Sequence, residues 1–427
     1  MIESTIMGML TDVAQFSRVW ICQEIGTAIP SILQWGDARI TWDTLYQVSK
    51  VLDQNHRRLR VHMGMIVQRV TYLHRRFIDE GGPANPRRSF ACELSRGAHN
   101  LNATDPRDHV FAKLGHYSAR SRRTGLPIIE ADYTKSVSDI YLAVATQLLK
   151  ERISLEVLNT VYMTCPIADD LPSWVPRWNV RAPSWVLGDN KSVFAATKCD
   201  PIVEFVDLRT VNVDGLEIDN VDYCSQILPT TNGECKWYGN KTASERDGIK
   251  DLWFRLSGQS DIDTSALYIN GERVITAFCQ AISAGCFYLA MKKGHGKDYR
   301  SAPSTQWLSH GASYLLDVLG DTTAAVDALK EMSTGGDGVV WADGANSVTD
   351  CRRIFRTVKG YYGLGPPLIE NGDIVCVLFG GKTPFCLRCI DRHYELVGEC
   401  YVFGLMNCEA IDMMEKGELK QKTFCIK

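Results

Sequence analysis

The sequence predicts an α+β protein. It has a mainly helical body, a small C-terminal β-barrel or sheet completed by a mid-chain hairpin, and an N-terminal α/β piece. Three observations carry this prediction. Residues 353–407 break into short β-rich runs separated by Gly, Pro and Asn turns. Val211, Val213, Leu216 and Ile218 alternate around Asp214-Gly215, a two-residue hairpin signal. Most of the remaining chain carries apolar residues at helical spacing.

In chain order, Asp12 to Ile25 reads as a helix with Phe16, Val19, Trp20 and Gln23 on one side. Ile29 to Trp35 reads as a strand, Gly36-Asp37 as a turn and Ala38 to Ile40 as a short return. Thr41 then caps a helix with Leu45, Val48 and Leu52 on its face. A helical region follows from Val61 to Leu101, broken at Gly81-Gly82-Pro83.

Asp105-Pro106-Arg107-Asp108 has the chemistry of a helix start. Asp105 can accept from first-turn amides, Pro106 fits the first helical position, and Asp108 lies where it could bond back. A helix from Pro106 to Leu114 is predicted, with Gly115 as a left-handed stop. Ser136 caps a stronger helix, with Asp139 three residues on. Val137, Ile140, Tyr141, Val144, Leu148 and Leu149 form its stripe. Leu171 to Trp178 is extended, because Pro172 and Pro176 bias their predecessors away from helix. Trp174 and Trp178 are its apolar anchors.

Thr231 to Asp350 turns helical again, with Thr264–Cys286 and Ser309–Met332 as the best helices. The strands expected after it are Phe355–Tyr361, Ile374–Phe379, Phe385–Ile390 and Tyr394–Phe403, paired with the Asp214-Gly215 hairpin. The predicted segments are therefore residues 1–55, 56–190, 191–230, 231–350 and 351–412.

Composition is that of a globular chain of 427 residues, with 45% hydrophobic and 23% charged residues. A net charge of -3 gives no field for nucleic acid or anionic membrane. The basic runs at Arg57-Arg58-Leu59-Arg60 and Arg120-Ser121-Arg122-Arg123 read as solvated faces. Fifteen irregularly spaced cysteines point to reduced thiols in a cytosolic or nuclear setting rather than a disulfide framework, and a cytoplasmic location is expected. The N-terminus lacks the basic region of a signal peptide, and no run is long enough to span a bilayer.

Cys386 and Cys389 form a CxxC, with His393 and Cys400 beyond. A spacing of three along a strand sends the two thiols to opposite faces, so buried thiols are favoured over a metal site. The Gly360–Gly365 run lacks the strand-then-helix context of a dinucleotide loop and reads as a turn with a close backbone approach. No cofactor or metal is expected. Glu24, beside Trp20 and a possible partner, Arg18, is the most notable acid and reads from the residues as half of a structural pair.

Three co-linear stretches resemble the fungal heterokaryon-incompatibility (HET) family. FSRVWICQEIGTA, with Arg18, Trp20, Gln23 and Glu24, is similar to the block that closes the HET domain. The stretch just after that domain is matched by ATDPRDHVFAKLG, DYTKSVSDIYLAVA and LPSWVPRW. These carry Asp105, Pro106, Arg107, Asp108, Pro172, Trp174, Pro176 and Trp178. Arg353 to Ala410 is similar to the family's C-terminal segment and holds Gly363, Gly365, Gly372, Asp373, Gly398 and Glu399. The ALSYxWG-type and CINQ-type blocks have no counterpart, so the resemblance implies a chain lacking most of the HET domain, with residues 1–55 as its remnant.

The resemblance implies non-self recognition and programmed cell death triggered when unlike cells fuse, through protein contacts or self-association. It also implies an enzymatic alternative. HET domains are thought to be related to Toll/interleukin-receptor-type domains, some of which cleave NAD with a glutamate, here Glu24. A third reading is an inactive family remnant.

Overall fold

The computed structural model describes residues 14–55, 69–78, 89–121, 123–151, 154–163, 170–181, 186–189, 194–228, 243–288, 299–301 and 304–427. Arg57, Arg58, Arg60, Arg122 and the Gly81-Gly82-Pro83 break lie outside them. The chain divides into two compact units. One comprises Met1–Glu151 and Val175–Ala182, the other Arg152–Trp174 and Pro183–Lys427.

In the first unit, a 3-10 turn at Ala14–Ser17 and the short helix α1, Ile21–Ile25, stand where the sequence predicts one helix. The interruption has a cause. Val19 N donates to Asn102 O at 2.9 Å and Asn102 N to Ser17 O at 2.6 Å, and backbone that bridges another segment cannot continue its own helical ladder. Strands β1, Ile32–Trp35, and β2, Ala38–Thr41, form the expected antiparallel pair around Gly36-Asp37. Thr41 Oγ1 caps helix α2, Trp42–Asn55, by accepting from Thr44 N at 3.1 Å. Its predicted stripe is only partly covered, for Leu45 packs on the core while Val48 is 47% exposed.

Helix α3, Phe90–Asn100, is buried almost all round and is capped by Ser89. Helix α4 spans only Asp108–Phe111, shorter than the predicted Pro106–Leu114. Gly115 does not adopt the left-handed conformation, and a turn rather than a stop follows. Helix α5, Val137–Lys150, begins with the predicted capping box of Ser136 and Asp139 and buries Ile140, Tyr141, Val144 and Leu149.

The second unit joins a helical body to a sheet. Helix α6 is Glu156–Asn159. The body contains α7, Ala243–Ser257; α8, Val274–Ser283; α9, Ser304–Leu319; α10, Val326–Met332; and α11, Gly338–Thr349. Trp253, Phe278, Trp307 and Trp341 lie in its core. A two-stranded ribbon, β5 (Cys286–Tyr288) with β6 (Tyr299–Ser301), precedes α9. The predicted helix from Thr264 starts ten residues late. Asn270-Gly271 instead makes a turn, with Gly271 at φ +85 and Tyr268 N bonded to Glu272 O at 2.7 Å. The predicted Ser309–Met332 helix divides at Gly320, also at positive φ.

The nine-stranded sheet contains β3, Val203–Phe205; β4, Val211–Cys224; β7, Arg353–Thr357; β8, Tyr362–Gly365; β9, Ile374–Leu378; β10, Phe385–Ile390; β11, His393–Glu399; β12, Tyr401–Val402; and β13, Gln421–Ile426. Helix α12, Glu409–Glu415, precedes β13. The mid-chain segment does complete the C-terminal strands: β4 pairs with β13, β9 and β7.

The turn is not at Asp214-Gly215, however. β4 runs straight through them, and the hairpin bend lies between β3 and β4, where Asp207 accepts from Arg209 N and Thr210 N. Gly215 serves a close approach instead: a Cβ there would meet Val377 O at 2.5 Å. The sheet curls back on itself without closing as a barrel, since Tyr394–Ile426 is the single registered pair linking β11 to β13.

Candidate functional site

The first family-like blocks converge in the first unit. Asp105 does nucleate a turn: its Oδ1 accepts from Arg107 N at 3.0 Å, and Asp108 N bonds to Asp105 O at 3.0 Å. Asp108 does not bond back. Its Oδ2 accepts from Trp20 Nε1 at 2.9 Å and its Oδ1 from Tyr133 OH at 2.6 Å. That carboxylate therefore ties the segment before α1, α4 and the stretch preceding α5. Two tertiary donors outcompete one local amide for the same two oxygens.

Gln23 Nε2 adds a bond to Ala112 O at 3.2 Å. Arg107 forks onto Asp105 and donates to Tyr133 O and Lys135 O at 2.7 and 2.9 Å. Tyr141 OH donates to Pro106 O at 2.7 Å, and its ring meets Trp178 edge-on at 5.2 Å. Pro176 is buried nearby in the chain. The bond to Asp108 pushes the Tyr133 hydroxyl up to about 12.

Beneath this node lies a buried ionic cluster that the sequence did not reveal. Glu93, fully buried in α3, accepts from Tyr72 OH at 2.6 Å and from the Arg76 guanidinium, and His116 Nε2 is 3.9 Å away. Burial alone would raise the Glu93 carboxyl. Arg76 and His116 outweigh it and pull it down to about 2. Lys113 is also buried, donates to His109 O at 2.9 Å, and is lowered by desolvation. Its stem lies over Gly97, where a Cβ would come within 2.1 Å of Lys113 Cε. Burial pushes the Cys22 thiol up to about 11 and, with Lys113 adding to the effect, lowers His109 to about 4. The available sequence signal was a glutamate inside the apolar run Phe90-Ala91-Cys92-Glu93-Leu94, with a mid-helix glycine at 97.

In the second unit the remaining family-like residues hold the sheet. Ser173 sits at the sparsely paired seam. Its N donates to Lys427 O at 3.1 Å, its Oγ donates to the same carbonyl, and that Oγ accepts from Leu396 N at 2.8 Å. Trp174, fully buried, donates to Arg209 O at 2.9 Å, and Pro172 is buried beside it in the chain.

Glu399 is buried and accepts from four distant groups: Arg352 Nη2 (3.1 Å), Asn159 Nδ2 (3.0 Å), Leu187 N (2.6 Å) and Gly188 N (2.9 Å). Burial raises its carboxyl despite Arg352. Asp373 accepts from Arg388 Nε and Nη2 at 2.8 and 2.9 Å and is likewise raised by burial. Gly372 makes the preceding turn at φ +93. Gly363 lets Phe355 and Tyr401 O approach, Gly365 packs against Ile369 and Phe355, and Gly398 faces Pro366. The Gly360–Gly365 run is thus part turn and part strand, with the predicted close approach inside β8.

Cys386 is buried and Cys389 exposed, on opposite faces of β10. Among the described residues no group of three or more His, Cys, Asp or Glu is placed to hold a metal ion. Glu24 is exposed on the five-residue α1, as is Arg18 just before it. Among the described residues no helix is long and apolar enough to cross a membrane.

Residues 318–420 match the Het-6 beta-barrel domain. That span begins at the end of α9 and stops just before β13, so β3, β4 and β13 complete the sheet from outside it. The chain is 38% identical over 69 residues to heterokaryon incompatibility protein 6, OR allele, of Neurospora crassa. The matched stretch covers 15% of this chain and about a tenth of that relative's length, 10%. No solved structure matches. Residues 318–420 are thus similar to a Het-6 beta-barrel domain, and a 69-residue stretch of the chain is similar to a heterokaryon incompatibility protein.

Proposed function

We propose that this chain acts in fungal non-self recognition as a cytoplasmic regulator of cell death, working through protein contacts or self-association rather than through a reaction of its own. The Het-6 beta-barrel match over residues 318–420 carries the family part of this reading. The use made of the family-like residues supports the mechanism. Trp20, Asp108, Ser173, Asp373 and Glu399 spend their polar atoms on ties within the protein. Groups that bind and turn over a substrate instead converge on a cleft that leaves them accessible.

The test is induction of the full chain in a fungal host, counting viable cells beside the Glu24→Gln variant and following cellular NAD. The proposal expects loss of viability that persists in Glu24→Gln, with NAD unchanged before death. Death abolished by Glu24→Gln, with NAD falling only in the intact chain, would replace it with the enzymatic alternative. Full viability with the intact chain expressed and folded would favour an inactive remnant.

A further inference from the structure

Tyr133 stands apart from the other tyrosines. It is 51% exposed, and it is the exposed tyrosine among the described residues. It lies in a stretch between Arg123 and Ser136 that has neither helix nor extended strand, and most of whose side chains are exposed. Such a stretch can be laid out in another protein's groove at little conformational cost. Yet its hydroxyl is wired inward, 2.6 Å from Asp108 Oδ1, while the other oxygen of that carboxylate holds Trp20 Nε1 at 2.9 Å. One exposed oxygen atom therefore sits one residue away from the junction of two sequence blocks.

We propose that Tyr133 is a phosphorylation site whose modification breaks the Asp108 tie and loosens Trp20. The phenolic oxygen attacks the γ-phosphorus of ATP held by a tyrosine-directed protein kinase. The bond from that phosphorus to the bridging oxygen breaks, ADP leaves, and the phenolic proton passes to the kinase's base. The product replaces a hydroxyl donor by a group of about −1.5 to −2 charge that can only accept at neutral pH. Set against the Asp108 carboxylate, it repels where the hydroxyl attracted.

Two cations are at hand to receive it. The Arg107 guanidinium lies 5.2 Å from the Tyr133 ring centroid, and Lys135 is two residues on, loosely paired with Asp132 at 3.9 Å. The phosphate draws the Arg107 guanidinium from Asp105, so the turn at residues 105–108 loses that ion pair and keeps only the Asp105 side-chain bond to Arg107 N. Glu130 and Asp132, just before the tyrosine, give the segment an acidic approach for a kinase with a basic substrate groove. This inference does not rest on the cell-death reading.

The experiment treats the full folded chain with a broad-specificity tyrosine kinase and ATP. Peptide mass spectrometry locates the phosphoryl group, and amide hydrogen exchange is followed over residues 14–25 and 105–117. The expected result is one phosphoryl group on Tyr133, with exchange in both peptides faster by roughly tenfold. Tyr133→Phe, which keeps the ring, should take no label and show a smaller increase. Two outcomes would overturn the proposal: Tyr133 left unlabelled in the folded chain while the urea-unfolded chain accepts it, or Tyr133 labelled with exchange unchanged in both peptides.

Discussion

The Ser173 hydroxyl accepts from Leu396 N at 2.8 Å across 223 residues of sequence, while also donating to the Lys427 carbonyl. It fills the one place where the curled sheet has almost no ladder, between β11 and β13. Ser173→Ala should leave the Leu396 amide without its hydroxyl acceptor and Lys427 O with the residue-173 amide as its remaining donor. The expected cost is about 2 kcal/mol in urea unfolding of the second unit. Ser173→Thr, which keeps the hydroxyl, should recover part of it. An alanine variant as stable as the parent would mean the seam is held by other contacts.

Glu399 ties four distant groups of the second unit by a single carboxylate. Glu399→Leu strands the Arg352 charge in the interior and should cost about 3–5 kcal/mol. Pairing it with Arg352→Met removes both charges and should restore much of the loss. Additive effects of the two substitutions, measured by chemical denaturation, would show that the pair is not coupled.

Acid should weaken the first unit in two windows. The folded His109 sits at about 4 rather than 6.5. The unfolded chain therefore binds the extra proton first, and stability is lost as pH falls from 6.5 towards 4. Glu93 is held at about 2 rather than 4.5, so its contribution, present above 4.5, is lost as pH falls from there towards 2. Glu93→Gln should flatten the lower window only and destabilise at neutral pH by about 3 kcal/mol, since Arg76 loses its counter-charge. An unchanged acid profile in that variant would contradict the assignment.

Gly97 and Lys113 form a packing pair, with the lysine stem occupying the space a side chain at position 97 would need. Gly97→Ala should cost about 1–3 kcal/mol through overpacking, despite alanine's better helix propensity. In a Lys113→Ala background the same substitution should become neutral or stabilising. A thermal melt of the four proteins decides this, and equal penalties in both backgrounds would sink it.

Elements with local signatures were legible in the sequence. The Ser136–Asp139 box starts α5 where predicted, and alternation places strands over residues 353–402. What the sequence hid was set by distant partners. The Asp12–Ile25 helix breaks because Asn102 takes its backbone bonds. Asp214-Gly215 has hairpin composition, yet Gly215 is there for Val377 to approach. Strand β13 and most of helix α12 lie past the family-like stretch, which ends at Ala410. Asp105 and Asp108 were identified as structural residues, but the partners of Asp108, Trp20 and Tyr133, lie 88 and 25 residues away. Glu93, paired with Arg76, and Lys113, which donates to His109 O, gave weak signals, because such buried charges are recognisable only once their partners are placed.

The central claim is that separate family-like blocks are joined side chain to side chain into one built unit, with Trp20 and Asp108 as the joint. A double-mutant cycle of Trp20→Phe and Asp108→Asn, read by urea unfolding of the full chain, measures that joint directly. The account predicts single losses of about 1 kcal/mol or more and a coupling energy near 1 kcal/mol. A coupling indistinguishable from zero, with both single variants destabilised, would contradict it.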